Sequence, residues 1–220
     1  MIRFEKVSKK YGVDEPMILE EATFRIPPGG MAFLLGESGC GKTTILRLLL
    51  RELTADEGVV RVNGQDISRI RTRKLPEYRR KMGIVFQDFR LLSDQTVYEN
   101  VAIAKRIVGA REKDILHMVT MALRLVDMEK EFYRPVSELS GGEQQRVCIA
   151  RAIVSNPDCI LADEPTGNLD PKQAREIMLL LERLNQIGIT VLVATHDREA
   201  IRDIRCPRLY LNHGRISGGE

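Results

Sequence analysis

Apolar and polar positions alternate near the start of the chain, at Ile2 and Phe4 and again at Ala22, Phe24 and Ile26, which predicts half-buried strands. Met31–Leu35 is instead apolar throughout, as a strand buried on both faces would be. A glycine-rich turn follows, and from about 42 to 52 the residues Ile45, Leu46, Leu48 and Leu49 form the buried side of a helix. Positions 59–62 read as a short strand closed by the turn signal Asn63-Gly64, and 83–87 as another buried strand. Between about 88 and 156 the period becomes helical, with Ile115, Val119, Ala122, Leu123 and Val126 on one face. Pro157 and Asp158 end this block. Buried-strand patterns return at 159–162 and 190–194, separated by an amphipathic helix carrying Ala174, Ile177, Met178, Leu181 and Leu184. Strands alternating with helices predict an α/β core with a largely parallel sheet. The expected organisation is one domain over 1–220, with a core subdomain at about 1–87 and 157–220 and a helical subdomain inserted at about 88–156.

Composition narrows this little. A length of 220 residues suits one sizeable domain, and 43% hydrophobic with 30% charged residues is ordinary for a soluble globular chain. The net charge of +3 is too slight to argue for nucleic acid or membrane binding by bulk electrostatics, and no nucleic-acid partner is expected. The cysteines Cys40, Cys148, Cys159 and Cys206 lie far apart, a spacing that fits neither a zinc site nor a disulfide framework and suggests reduced thiols. The opening Met1-Ile2-Arg3-Phe4-Glu5-Lys6 has no apolar signal core, and no apolar run approaches a membrane span, so work at a membrane would require another chain to carry the spans. One basic run, Arg69, Arg71, Arg73, Lys74, Arg79, Arg80 and Lys81 against Glu77, reads either as a solvated surface or as a face near anionic lipid or a partner that seeks basic charge.

The chemistry begins at Gly36-Glu37-Ser38-Gly39-Cys40-Gly41-Lys42-Thr43, which fits the phosphate-binding pattern G-x-x-x-x-G-K-[ST] and lies between a buried strand and a helix, as that pattern requires. Glycines let successive backbone N–H groups turn inward on phosphate oxygens, and the helix N-terminus adds its dipole. Lys42 is placed to reach β- and γ-phosphates, the Thr43 hydroxyl to ligate Mg2+, and Thr44 completes the candidate nucleotide contacts of this loop. A second acidic site ends the strand Cys159-Ile160-Leu161-Ala162: Asp163 suits the metal side, and Glu164 can polarise an attacking water as general base. The guanine-reading pattern Asn-Lys-x-Asp is absent. Leu139-Ser140-Gly141-Gly142-Glu143-Gln144 supplies another helix start, where Ser140 can cap the helix while Gly141 and Gly142 leave N–H groups exposed. Since the first loop already cradles phosphates, this second anion site makes most sense when offered to a neighbouring copy's nucleotide.

These motifs, in this order over nearly the whole chain, resemble the ATP-binding-cassette (ABC) superfamily, whose signature sequence Leu139 to Gln144 resembles. The resemblance implies a P-loop NTPase fold with an ABC-type nucleotide-binding domain and a Mg-dependent ATPase using ATP and Mg2+. It gives Tyr11 the role of stacking on adenine, Gln87 that of a glutamine at the Mg2+ and water site that senses the membrane partner, and Asn168-Leu169-Asp170 that of the family's D-loop. It makes His196 a γ-phosphate switch, which with Glu164 and Gln87 completes the catalytic set. Metal contacts would be Thr43, Gln87 and Asp163, and the partner's nucleotide would meet Ser140, Gly141, Gly142 and Gln144. An ATP-dependent homodimer follows, with two ATP molecules between one copy's Lys42 and the other's signature loop. Within the superfamily, Val85-Phe86-Gln87-Asp88-Phe89-Arg90-Leu91-Leu92 and Thr96-Val97-Tyr98-Glu99-Asn100-Val101-Ala102 resemble the bacterial cell-division ATPases, with the ATPases of lipoprotein-releasing and macrolide-type exporters as the alternative. That branch implies a permease-like integral membrane partner, FtsX, control of cell-wall hydrolases, and a peripheral place on the cytoplasmic face of the bacterial plasma membrane. Gly30, where an acid is usual, and Cys40, where a small Ala or Ser is more common, depart from the branch's pattern.

Two finer expectations concern side chains. Leu91, Leu92 and Val97 are either anchors of a groove for a partner helix, around Phe89 to Tyr98, or core residues of the helical block. Cys40, next to Lys42 in the phosphate loop, is either a thiolate more reactive than Cys148 and Cys159 and protected by ATP, or a packing residue turned away from nucleotide.

Overall fold

The structure, a computed structural model, describes residues 1–12 and 14–218. In chain order its elements are β1 (Ile2–Lys9), β2 (Leu19–Ile26), β3 (Met31–Leu35), α1 (Lys42–Leu49), β4 (Glu57–Val62), β5 (Gln65–Asp66), α2 (Leu75–Arg79) and β6 (Met82–Val85). Then come α3 (Val97–Arg106), α4 (Glu112–Leu125), α5 (Gly141–Ile153), β7 (Cys159–Asp163), α6 (Pro171–Gln186), β8 (Thr190–Thr195), β9 (Arg208–Asn212) and β10 (Arg215–Gly218). One sheet has the order β2-β1-β4-β5 and is antiparallel; the other has the order β10-β9-β3-β8-β7-β6 and is parallel except at its β10 edge.

The continuous apolar runs are explained by the pleat. Met31, Phe33 and Leu35 face one core cluster, and Ala32 and Leu34 the other; Ile160 and Ala162 oppose Cys159 and Leu161, and Val191 and Val193 oppose Leu192 and Ala194. Alternate residues point to opposite faces, so a strand covered on both sides has no polar position to spend. On one face lie α1 and the antiparallel sheet; on the other lie α3, α4, α5 and α6. Three helix starts carry a side-chain cap: Thr96 for α3, Ser140 for α5, and Asp170, with Pro171 in the first turn, for α6.

Boundaries differ from the pattern in instructive places. Helix α1 stops at Leu49 rather than 52, because Arg51 turns left-handed (φ 56°) and the N–H groups of Arg51 and Glu52 close back on Leu48 and Arg47 carbonyls. Strand β6 stops at Val85, before the chain turns at Phe89 and Arg90. The β9–β10 hairpin was not foreseen; its turn runs through Asn212, His213 and Gly214, with His213 and Gly214 at positive φ. Val97 is fully buried in the core, which removes it from any groove; Leu91 packs partly on that core, and only Leu92 is exposed. Buried Asn100 fixes this turn by accepting from Leu92 N–H and donating to the Leu92 and Thr96 carbonyls. Part of the basic run also has internal work: Arg79 donates to the Leu50 and Arg51 carbonyls, Arg69 pairs with Asp66, and Lys74 pairs with Glu77.

Candidate active site

Parallel strands β3, β8 and β7 end side by side, so the loops after them converge on one edge of the sheet. After β3 comes the glycine loop and α1; after β7, Asp163 and Glu164; after β8, His196. A cavity of about 340 Å³ lies there, lined by Tyr11, Ser38, Gly39, Gly41, Lys42, Thr43, Thr44, Gln87, Asp163 and Glu164. Residues spread over more than half the chain thus meet in one cleft.

Helix α1 starts on Gly41 at φ 111°, a conformation that only glycine takes without strain, and it has neither a side-chain cap nor an acid in its first turn. Its first N–H groups are therefore available to an anion. Lys42 is 5% exposed and bends back on the loop, donating to the Gly36 and Glu37 carbonyls at 2.8 and 3.1 Å and meeting Glu164 Oε1 at 3.1 Å.

Glu164 is held from both sides. Its Oε2 accepts from the His196 backbone N–H at 3.2 Å and lies 3.0 Å from His196 Nδ1. Burial by itself would raise this carboxyl, but hydrogen bonds from His196 and Lys42 outweigh it and hold the group below the ordinary value. Its backbone is left-handed (φ 46°), an uncommon state for a non-glycine residue, kept by Glu164 N–H on the Ala194 carbonyl and Gly167 N–H on the Glu164 carbonyl. Asp163, one residue earlier, is shifted the other way. Burial raises it, hydrogen bonding with Thr43 offsets only part, and the neighbouring Glu164 adds to the rise. Asp163 Oδ1 is buried without a hydrogen-bond partner. A desolvated carboxylate oxygen with no donor, beside a threonine hydroxyl, suits a small hard cation, so the residues present fit Mg2+.

Gln87 stands across the cleft with its carboxamide against Gly167, where a Cβ would lie 2.7 Å from Nε2, and its carbonyl accepts from the Asn168 side chain. The loop after β6 and the loop after β7 are thereby tied together. Tyr11 is half exposed, and its hydroxyl shares a hydrogen bond with Thr44 Oγ1 at 3.0 Å, so the ring stands beside the start of α1. His196 is well exposed at the cleft's edge, its side chain 62% accessible.

Cys40 settles on its packing alternative. Its Sγ lies 2.5 Å from where a Gly36 Cβ would be, it packs partly on the core, and it lines a neighbouring hollow with Ile18 and Leu211 rather than the cleft. Its backbone belongs to the phosphate loop, while its thiol and the Leu211 carbonyl, 2.7 Å from a Cβ at position 36, together leave room there only for glycine. Burial pushes Cys148 and Cys159 up to about 12 and Cys206 up to about 11. Glu37 likewise offers the cleft its carbonyl, with its side chain exposed on the other side.

Ser140, Gly141, Gly142 and Gln144 do not line this cleft. Ser140 accepts from Glu143 N–H, and the Glu143 carboxylate accepts from both the N–H and hydroxyl of Ser140, a complete capping box. Gln144 turns its amide back on the Val136 and Leu139 carbonyls, which braces the loop rather than pointing at a ligand. Sequence reasoning missed the braces behind α5: the Cys148 thiol and Arg151 guanidinium both donate to the Phe89 carbonyl, and Arg151 also to the Arg90 carbonyl. A basic residue late in a helix was the only signal of this.

Comparison with known proteins agrees with this geometry. Residues 19–167 match the ABC transporter family. The cell division ATP-binding proteins FtsE of Mycobacterium tuberculosis and Escherichia coli K12 are 46% and 47% identical to the chain, cover all of it, and are themselves covered to 96% and 98%. Among solved structures, the ATP-binding cassette MJ0796, dimeric and bound to ADP and Pi after hydrolysis, superposes with a TM-score of 0.84 at 34% identity, covering 100% of this chain and 98% of that one. The cbiO1 protein of Clostridium perfringens, part of the ABC transporter complex cbiONQ, reaches 0.92 at 29% identity, covering 99% and 87%.

Proposed function

The chain belongs to the ABC transporter family, and from that membership we propose that it is the Mg2+-dependent ATP-hydrolysing subunit of a membrane complex acting in bacterial cell division. Its partner would be the permease-like FtsX, which the resemblance to the cell-division branch implies. Among the described residues no helix is long and apolar enough to cross a membrane, so attachment to the cytoplasmic face would run through such a partner.

The observation that carries the hydrolytic reading is Glu164, kept ionised by Lys42 and His196 inside the cleft. On binding ATP, Lys42 would exchange Glu164 Oε1 for β- and γ-phosphate oxygens, with the Gly36–Thr44 backbone and the open start of α1 taking the rest of the charge. Tyr11 would lie beside the base. Thr43, Asp163 and Gln87 would hold Mg2+, which supplies charge neutralisation on the β- and γ-phosphates. Glu164 is then free of its lysine but still held by His196. It orients a water and takes its proton as the water oxygen bonds to the γ-phosphorus. The bond to the bridging oxygen breaks, and ADP and phosphate leave. The signature loop, Ser140 to Gly142, would complete the site from a second copy; dimerisation itself has a precedent in the solved cassette MJ0796, which is dimeric. In this reading the core subdomain (about 1–87 and 157–220) and the helical subdomain (about 88–156) move as two bodies when the dimer closes.

Glu164→Gln tests this. The isostere keeps the shape but cannot take a proton, so steady-state hydrolysis should fall at least ~100-fold while Mg-ATP binding persists. Size-exclusion chromatography with ATP should then show an accumulated dimer. Turnover at the wild-type rate would remove Glu164 from the mechanism.

A further inference from the structure

Gln145 is the one glutamine side chain in the described residues that is completely buried with both its amide nitrogen and oxygen lacking a hydrogen-bond partner. Leaving such a group unpaired is costly, and folded proteins keep few of them. Its position on α5 says what it faces. Gly141, one turn before, would put a Cβ 3.2 Å from Leu169, 3.8 Å from the Asn168 carbonyl and 3.9 Å from the Phe89 ring. Cys148, one turn after, bonds the Phe89 carbonyl. Residues three and four apart share a helix face, so Gln145 lies on the seam between α5 and two loops, the one after Gln87 and the one after Glu164.

Those loops are poised rather than relaxed. Phe89 and Arg90 are consecutive non-glycine residues at positive φ, 36° and 50°, and the turn persists because Cys148 and Arg151 hold its carbonyls from α5. Asn168 ties the second loop to Gln87. The signature loop, at the start of the same helix, must take up a partner's nucleotide when the dimer closes, and α5 carries that movement to the seam.

We infer that Gln145 is a positioning residue for the closed dimer: its buried amide is unpaired in the single chain and bonds the main chain of the 87–90 and 166–169 loops when α5 shifts on ATP-driven closure. This rests on the dimer reading above. It predicts effects of opposite sign on two states. An apolar side chain of similar length removes the unpaired amide from the single chain, which gains stability, and removes the bond from the closed dimer, which loses it.

The test uses the Glu164→Gln protein, which should hold ATP in the dimer, with and without Gln145→Met or Gln145→Leu. Without nucleotide, the melting temperature should rise by ~2–4 °C in at least one of the two variants. With Mg-ATP, the dimer should dissociate at roughly tenfold higher protein concentration in both, while Mg-ATP affinity of the monomer stays unchanged, since Gln145 does not line the cleft. A lower melting temperature in both variants would mean that the amide is already satisfied in the single chain and overturns the inference. Unchanged dimerisation, or dimerisation and melting temperature lost together, overturns it as well. If the Glu164→Gln parent itself forms no dimer with ATP, the dimer reading fails and takes this inference with it.

Discussion

Helices α1 and α5 both begin on glycine turns, yet their starts are finished in opposite ways. At α1 no side chain caps the helix and no acid sits in the first turn. At α5 Ser140 and Glu143 close a full capping box. Four N–H groups are left over at any helix start and need partners. At α1 those partners are left to the ligand, and Lys42 waits on an internal carboxylate, Glu164. At α5 the protein itself answers the Ser140 and Glu143 N–H groups through the box, which holds the shape of this exposed turn. The first start is built for high affinity within one chain. In the proposed dimer the second would exchange: a partner's phosphate would compete with Glu143 for the Ser140 hydroxyl and N–H.

Removing the charge at the open start should have the largest effect. Lys42→Ala loses charge-assisted hydrogen bonds to two phosphates, and Mg-ATP affinity measured by calorimetry should fall by ~100-fold or more. It also leaves Glu164 half-buried without its cation, so the nucleotide-free melting temperature should fall too; an unchanged affinity would mean that the lysine never leaves its internal partner. At the closed start the effect is smaller and of another kind. Ser140→Ala removes the cap, which costs about 1 kcal/mol or ~2–4 °C in melting temperature. Turnover should drop while monomer affinity for Mg-ATP stays at the wild-type level. Equal loss of monomer affinity would erase the distinction between the two starts.

The smallest effect concerns acid. The Ser140 N–H and then its hydroxyl hold Glu143 below the ordinary carboxylate value. A carboxylate depressed in the folded state contributes stability that is present above its unfolded value and lost as pH falls through the folded one. Glu143→Gln should therefore cost only a few tenths of a kcal/mol at pH 7. It should also reduce the loss of stability between neutral and acid pH in denaturant titrations. An acid dependence identical to wild type would show that the box does not depend on the carboxylate's charge.

Much of this was legible along the chain. The double-sided strands, the α4 and α6 faces and the glycine loop follow from local rules, because the pleat, the 3.6-residue turn and the φ demands of a phosphate loop act over a few residues. The cap of α5 was readable for the same reason, since Ser140 and Glu143 are three apart. What the sequence alone determined is therefore the central strands and their helices, though not the β9–β10 hairpin, and which residues could touch phosphate. Tertiary structure decided the rest, because it depends on what packs behind a residue. Cys40 turned out of the cleft because Gly36 leaves room behind the loop; Val97 went to the core; and Asp163 and Glu164, adjacent and chemically alike, were pushed in opposite directions. The difference lies in which groups 3 Å away answer each carboxylate: Lys42 and His196 come to Glu164 from strand ends far apart in sequence, while one oxygen of Asp163 is left to a ligand.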